Sequence, residues 1–289
     1  MLRALLLLLT AGTALTAAEP TQPDVEYAMV DGHRLLLDIY QPTANQKSGN
    51  QKTPLVIWVH GGAWRSGSRS SVPIARLLDH GFAIASVDYR LSPVARFPAQ
   101  VHDIKAAIRF LRANSAVYNF DSNRFIIAGS SAGGHLAALV GVTNGVPELE
   151  GNVGADLQTS SDVQMIVSFF GASNLQTILS QSTPHGLKVR VPALELLLGG
   201  QPTGKPELAR LASPVVHVDD TDPPLLLIHG DQDPQMPINQ AHELHGRYKQ
   251  FALPVEFKVI HGGAHGGRGF FENPLLDQVA ERLTRNDWK

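Results

Sequence analysis

The chain has 289 residues, a length that open α/β sheets commonly use as a single domain. With 43% hydrophobic and 17% charged residues it has the composition of an ordinary globular protein, which argues against disorder beyond the ends and one linker. The formal net charge of -2, with no run of lysines or arginines, excludes a basic surface for nucleic acid or for an anionic membrane.

The N-terminal stretch MLRALLLLLTAGTALTAAEP places one cation, Arg3, ahead of a Leu-rich run that ends in small residues. This pattern predicts a secretory signal peptide, residues 1–18, and therefore a secreted or periplasmic bacterial protein with no membrane attachment after cleavage. A membrane anchor is the alternative, but a span needs roughly 20 apolar residues and this run is shorter and interrupted. The absence of cysteine excludes both disulfides and a lipid-modified N-terminal cysteine.

The next elements are extended. Residues 25–30 and 34–40 flank the turn Asp31-Gly32 and predict an antiparallel hairpin, followed by an exposed loop over 41–52. Short, almost wholly apolar runs then alternate with helix-length segments. They cover residues 54–60, 82–89, 124–129, 163–171, 224–230 and 255–262. Continuous apolar strands indicate a sheet that is covered on both faces.

Helical periodicity appears between these runs, most clearly at 101–114. The alternation predicts one α/β domain over residues 19–289, with a mostly parallel central sheet of about eight strands and helices on both faces. This alternation of strands and helices is interrupted by two segments, residues 143–162 and 174–222. We expect both to be small cap insertions over the carboxyl edge of the sheet, where open α/β folds bind ligands.

The strand RFIIA runs directly into Gly129-Ser130-Ser131-Ala132-Gly133, and a helical segment follows. G-x-S-x-G between a strand and a helix is typical of a nucleophile elbow, which holds its central serine exposed on a strained turn. Ser131, not Ser130, occupies the central position. By itself the motif occurs often by chance, so its strand-turn-helix context carries the prediction.

A second motif, His60-Gly61-Gly62-Ala63-Trp64, follows the apolar strand at 54–60. A glycine-rich loop in this place resembles the HGGG-type oxyanion element, in which backbone N–H groups face a developing negative charge. The predicted donors are the amides of Gly62, Ala63 and Ala132. Ala63 replaces the third glycine of the usual motif, which a backbone donor tolerates if its dihedral angles are allowed.

With these motifs the chain resembles the α/β-hydrolase superfamily, and within it the HGGG-type esterases related to hormone-sensitive lipase and to bacterial feruloyl and acetylxylan esterases. The resemblance covers nearly all of the chain after the signal, and its motifs appear in that family's order. They are DIYQP, HGGAWRSG, DYRLSPVARFPAQVHDIKAAIRFLR, GSSAGGHLAAL, SFFGASNL, SPVVHV, PLLLIHGDQDPQMP and HGGAHGG.

The resemblance implies the rest of a catalytic triad. The family's late H-G-x-x-D-x-x-V-P motif maps onto 229–237 and assigns the acid to Asp233, with Met236 in the usual valine position. The G-x-H-G-like motif after the last strand assigns the base to His265. The implied chemistry is an acyl-enzyme on Ser131 that requires no cofactor and no metal.

Histidines and aromatic residues bear on two further features, a metal site and an aromatic substrate pocket. His261 and His265 have the i, i+4 spacing of a metal pair, but a Gly-Gly loop is not a helix face and no third ligand is evident. Trp64, Phe169 and Phe170 are aromatic candidates for the substrate pocket, with a core position as the alternative for the two phenylalanines.

The leading hypothesis is a serine esterase for short-chain or aromatic acyl groups, acetyl or feruloyl, on a small-molecule or oligosaccharide alcohol. The alternatives are a formamidase or peptidase-like amide hydrolase, because the same triad serves both reactions, and a catalytically inactive binding domain on the same fold. The insertions carry only short apolar runs, which favours a solvated cleft over the broad apolar surface of a lipase.

Overall fold

A computed structural model describes residues 18–42 and 51–285, apart from the side chain of Arg268. The predicted signal peptide, except for Ala18, therefore lies outside the described residues. Within the two described ranges, no helix combines the length and the apolar character that crossing a bilayer requires.

Eight strands form one sheet, in the order β1-β2-β4-β3-β5-β6-β7-β8. Only β2 runs against the rest: β1 pairs antiparallel with β2, β2 pairs antiparallel with β4, and the remaining pairs are parallel. The predicted mostly parallel sheet with an antiparallel edge is confirmed. The strands are β1 Gln22–Val30, β2 His33–Tyr40, β3 Thr53–Val59, β4 Ala83–Val87, β5 Phe120–Ser130, β6 Met165–Phe169, β7 Leu225–Gly230 and β8 Val255–Ile260.

Helices cover both faces of the sheet. Successive side chains of a strand point to opposite faces, so each strand packs against both helical layers. In β3, Leu55 and Ile57 pack into a core with the helices of one face, while Val56 and Trp58 pack into a second core on the other. The first face carries α1 Ala99–Ala113, α2 Ala132–Gly141 and α7 Asn239–Gln250. The other carries a 3-10 helix, Ala75–His80, the short α8 Arg268–Phe271, and α9 Leu275–Thr284.

The segment 174–222 covers the carboxyl edge, as expected. It contains α4 Ile178–Gln181, α5 Pro184–Leu198 and α6 Pro206–Leu211. The short α3 Pro147–Glu150 precedes this segment in the chain. The side chain of Thr183, at the start of α5, donates a 2.5 Å hydrogen bond to the Pro234 carbonyl after β7. The Leu197 carbonyl near its end accepts one from Phe97, in the loop after β4. Both loops leave the carboxyl ends of their strands.

The segment 143–162, with α3, was expected at the same edge, and this prediction is wrong. It packs on the side of α1, where Lys105 donates to the Thr143 carbonyl at 2.6 Å and Arg109 to the Val153 carbonyl at 3.0 Å. The reason is the length of α2. Ten helical residues run roughly 15 Å back across the sheet, so the chain leaves α2 on the side where β6 begins.

Candidate active site

Ser131 lies at the turn between β5 and α2 with φ 55° and ψ −117°, a conformation that costs energy for a residue with a Cβ. Two glycines allow this turn. A Cβ on Gly133 would lie 2.0 Å from the Val59 carbonyl oxygen, and one on Gly129 would lie 2.3 Å from the Gly133 carbonyl oxygen. Strands β5 and β3 and helix α2 therefore approach so closely here that positions 129 and 133 have no room for a side chain. The hydroxyl of Ser131 is presented at the carboxyl edge.

His265 and Asp233 reach this serine from the loops that follow β8 and β7. The His265 Nε2 lies 2.9 Å from Ser131 Oγ, and its Nδ1 lies 2.6 Å from Asp233 Oδ2. A carboxylate can only accept, so Nδ1 carries the proton and Nε2 is the acceptor that faces the serine hydroxyl. The structure thus brings the three residues of the implied triad together in one hydrogen-bonded chain.

Asp233 is buried and held by its own loop, because Oδ1 accepts the backbone N–H groups of Gln235 and Met236, each at 2.8 Å. Burial alone raises the pKa of Asp233, but hydrogen bonds from His229 and His265, the charge of His265 and the Met236 amide together bring it below its usual range. The carboxyl is therefore ionised at neutral pH. A charged acceptor is what holds the imidazole in the required tautomer.

Asp231 and His261 form a separate pair. His261 Nδ1 lies 2.9 Å from Asp231 Oδ2, and its side chain is 87% exposed. The hydrogen bonds from His261 and from the Gly262 amide lower the pKa of Asp231. The pair steadies the turn after β8 and forms no hydrogen bond or ion pair with Ser131. Across the described ranges, no group of three potential ligands is arranged for a metal ion.

The predicted oxyanion loop lies against the elbow. A Cβ on Gly61 would lie 2.9 Å from the Ser130 carbonyl oxygen, and Gly62 has φ 114°, with its own Cβ position 2.1 Å from the Ser66 carbonyl oxygen. Ala63 follows with φ 52°, and this loop carries the backbone amides of Gly62 and Ala63. Among the described residues these amides have no protein acceptor. Ala132 is the first residue of α2, where amides have no partner within the helix.

Of the three predicted pocket aromatics, the structure places one in the cleft. Phe170 lines it, with its ring centroid 4.8 Å from that of His265. Trp64 does not: with φ 58° its side chain turns beneath the loop, where it is fully buried and donates to His135. The assignment of Trp64 to the substrate pocket is therefore wrong. Phe169 belongs to the core on the opposite face, against Trp58 and Phe271.

The family described as BD-FAE matches residues 37–248, which is most of the chain. The chain belongs to this family. Esterase LipC of Mycobacterium tuberculosis is 33% identical over 236 residues, covering 80% of this chain and 56% of LipC. The chain therefore spans about half the length of the curated relatives it matches.

Solved structures resemble this BD-FAE member over nearly its whole length. A truncated carbohydrate esterase from gut microbiota has a TM-score of 0.82 at 33% identity, covering 94% of this chain and 97% of that one. A bifunctional GH43-CE protein from Bacteroides eggerthii has a TM-score of 0.79 at 34% identity, covering 91% of this chain and 35% of the other. The α/β-hydrolase fold is thereby confirmed.

In this BD-FAE member the cleft above Ser131 has a volume of about 470 Å³. Its wall is mostly polar or small, and it includes residues that sequence reasoning missed: Arg65, Ser66, Ser71 and Gln235. The missed residues follow the glycine motif or Asp233 by a few positions, and this proximity is the only feature of the sequence that could have indicated them. Their direction depends on loop geometry that periodicity does not encode.

His60 forms the base of the oxyanion loop. Its ring stacks on Tyr89 with centroids 4.5 Å apart, and the Tyr89 hydroxyl donates to the His60 carbonyl at 3.0 Å. The His60 Nδ1 lies 2.8 Å from the Gly61 carbonyl oxygen. Burial lowers the pKa of His60, so the ring is neutral at neutral pH and can donate to that carbonyl. These contacts tie the first residue of the loop to Tyr89 and to the Gly61 carbonyl.

Proposed function

We propose that this protein is a serine carboxylesterase that hydrolyses short-chain or aromatic acyl esters through an acyl-enzyme on Ser131. The observation that carries the proposal is the hydrogen-bonded chain from Ser131 through His265 to Asp233, at 2.9 and 2.6 Å, beside the unused amides of Gly62 and Ala63. A nucleophile, a base, an orienting acid and donors for an oxyanion are the groups that acyl transfer requires.

The geometry supports the following sequence of steps. Ser131 Oγ attacks the acyl carbonyl carbon while His265 Nε2 takes the hydroxyl proton, and Asp233 stabilises the imidazolium that forms. The carbonyl oxygen becomes an oxyanion that accepts hydrogen bonds from the amides of Gly62, Ala63 and Ala132. When the tetrahedral intermediate collapses, His265 gives its proton to the departing alcohol. Water then attacks the acyl-enzyme by the same route and releases the acid and free Ser131.

The proposed substrates are esters of acetyl or hydroxycinnamoyl groups with a sugar or another polar alcohol. The support is the cleft wall, in which serine hydroxyls and a glutamine outnumber apolar side chains, together with the similarity to proteins whose names are esterase and carbohydrate esterase. Polar groups in the wall can replace the hydrogen bonds that a polar alcohol makes with water. A long alkyl chain makes no such hydrogen bonds and needs an apolar wall instead.

The decisive experiment compares kcat/KM for acetylated xylo-oligosaccharides and methyl ferulate with kcat/KM for p-nitrophenyl dodecanoate, using purified protein. The ratio reports differential binding of the transition states. We expect the acetyl or feruloyl esters to be preferred. A preference for the dodecanoate would refute the proposed substrate class, whereas no hydrolysis of any ester would refute the activity. An N-formyl amide and an aminoacyl anilide, assayed alongside, test for amide hydrolysis.

We further propose that the protein is exported and that residues 1–18 are removed, on the basis of the Leu-rich N-terminal pattern. An extracellular location agrees with a polymeric or oligomeric ester substrate. Expression of the full chain in a bacterial host, followed by N-terminal sequencing of the exported protein, tests this. The proposal requires a start near Glu19, and exported protein that retains Met1 would contradict it.

A further inference from the structure

The cleft above Ser131 contains one side chain of fixed charge, that of Arg65. Its other lining residues are glycines, serines, an alanine, a phenylalanine, a glutamine and two histidines, and no carboxylate is among them. Burial lowers the pKa of one of these histidines, His60, so that it adds no positive charge at neutral pH. An ester that enters the cleft therefore meets a positive charge and no lining carboxylate.

Arg65 has no ion-pair partner within 4 Å among the residues the structure describes. The contrast with Arg69, four positions later, is informative. Arg69 pairs with the carboxylates of Asp24, Asp38 and Asp88, so the acidic groups behind the loop are already engaged. The guanidinium of Arg65 is thus available to an incoming ligand.

The position of Arg65 is fixed by the same turn that presents the oxyanion donors. Its backbone N–H donates to the Gly62 carbonyl at 3.1 Å, and that of Ser66 donates to the same oxygen at 3.1 Å. The arginine is therefore tied to a rigid loop, so its side chain starts from a defined place beside the reacting ester. A guanidinium there can bind a carboxylate through two parallel hydrogen bonds.

We propose that Arg65 forms an anion subsite, and that the esters this enzyme prefers carry a carboxylate on their acyl or alcohol part. This inference rests on the proposed serine esterase function and specifies its substrates further. Neutral hydroxyls of the same substrate have candidate partners in Ser71 and Ser130, two residues of the cleft wall whose hydroxyls make no hydrogen bond within the described part of the chain.

Two matched substrate pairs test the proposal and tell the two sides of the ester apart. The first pair, 4-acetoxybenzoate and 4-acetoxybenzamide, differs in charge on the alcohol part. The second, the p-nitrophenyl esters of 4-carboxybenzoic and 4-carbamoylbenzoic acid, differs in charge on the acyl part. Each kcat/KM is compared between wild type and Arg65→Gln, so that the intrinsic reactivity of each ester cancels.

In one of the two pairs, Arg65→Gln should lower the anionic-to-neutral ratio of kcat/KM about 5- to 10-fold, as expected for a partly exposed charge-assisted contact. Arg65→Glu should lower the ratio further, and 0.5 M NaCl should lower it in wild type because salt screens exposed charges. The matched control is Arg124→Gln. It makes the same charge change at an exposed position of β5, seven residues and roughly 23 Å from Ser131, and should leave the ratio unchanged.

An unchanged ratio in both pairs for Arg65→Gln and Arg65→Glu, with wild type active on the neutral esters, would overturn the anion subsite and leave the esterase intact. A fall of the same size in Arg124→Gln would show that overall charge, not Arg65, sets the ratio, and would also overturn it. If wild type hydrolyses none of the four esters, the esterase proposal fails and this inference fails with it.

Discussion

The indole Nε1 of Trp64 donates a 3.0 Å hydrogen bond to Nδ1 of His135, deep in the protein. Burial lowers the pKa of His135 to about 4, so the imidazole is neutral at neutral pH and carries its proton on Nε2, which donates to the Ala212 carbonyl at 2.7 Å. One neutral imidazole on α2 thereby links the oxyanion loop to the segment that covers the carboxyl edge.

Trp64→Phe should lower kcat on p-nitrophenyl acetate more than it raises KM, because it removes the donor that anchors the oxyanion loop. It should also lower the free energy of unfolding by about 1–3 kcal/mol, since Nδ1 of His135 is left buried without a partner. Tyr248→Phe, which removes a buried hydroxyl that donates to the Pro223 carbonyl far from the cleft, is the control. If both variants lose stability and keep wild-type kcat, Trp64 only fills the core.

Asp233→Asn should lower kcat about 10⁴-fold, because a carboxamide no longer enforces the His265 tautomer. Asp231→Asn is the matched control, since it removes the neighbouring carboxylate that pairs with exposed His261. It should keep most of the wild-type kcat. Steady-state rates of both variants, with circular dichroism to check folding, provide the measurement. A large loss in Asp231→Asn and a small one in Asp233→Asn would reverse the assignment of the acid.

The strands and the elbow could be predicted from the sequence because their signals are local. Continuous apolar runs such as 224–230, alternating with helical segments, indicate a sheet covered on both faces. Gly129 and Gly133 flank Ser131 at the spacing that a strand-to-helix turn needs. The acid and the base were implied by resemblance to a family, since nothing in the spacing of Ser131, Asp233 and His265 along the chain shows that they meet.

What could not be predicted depends on directions that the sequence does not encode. The sequence offers Trp64 as an aromatic candidate for the pocket, but a positive φ turns its indole under the loop. The segment 143–162 was placed at the wrong edge because its position depends on how far α2 carries the chain. Helix α5 contains Pro192, which interrupts the periodic pattern by which helices are recognised.

The contribution of Asp222 to the free energy of unfolding should fall as the pH rises from about 4 to about 7, because burial raises the pKa of Asp222 to about 7. Between these values the folded protein holds a proton on Asp222 that the unfolded chain has released. Asp222→Asn imitates the protonated carboxyl and can still accept the 3.0 Å hydrogen bond from the Asp219 amide.

We therefore expect Asp222→Asn to be more stable than wild type at both pH 5 and pH 8, and its advantage at pH 8 to exceed that at pH 5 by on the order of 2 kcal/mol. Urea unfolding at the two pH values measures this. Asp220→Asn, at the exposed neighbouring position, should show no such pH dependence. An equal stability difference between Asp222→Asn and wild type at both pH values would show that Asp222 does not titrate in this range.

Two glycine substitutions should act in opposite directions. Gly133→Ala should prevent the elbow from forming and yield little folded protein, because its Cβ would lie 2.0 Å from a backbone oxygen of β3. Gly246→Ala, in α7 with no atom within 4 Å of the added Cβ, should raise the free energy of unfolding by about 0.5–1 kcal/mol. Thermal unfolding and soluble yield distinguish the two. A folded, fully active Gly133→Ala enzyme would contradict the close approach of β3 and α2.

The central claim is that Ser131 is the nucleophile, and covalent trapping tests it most directly. Wild type, Ser131→Ala and Ser130→Ala are each incubated with a p-nitrophenyl phosphate triester, then assayed for residual hydrolysis of p-nitrophenyl acetate and mapped by peptide mass spectrometry. We predict one phosphoryl group on Ser131 in wild type and in Ser130→Ala, with parallel loss of activity. Ser131→Ala should carry no adduct and should hydrolyse the ester roughly 10⁶-fold more slowly than untreated wild type. Hydrolysis near the wild-type rate by folded Ser131→Ala, or an inactivating adduct on another residue, would contradict the account.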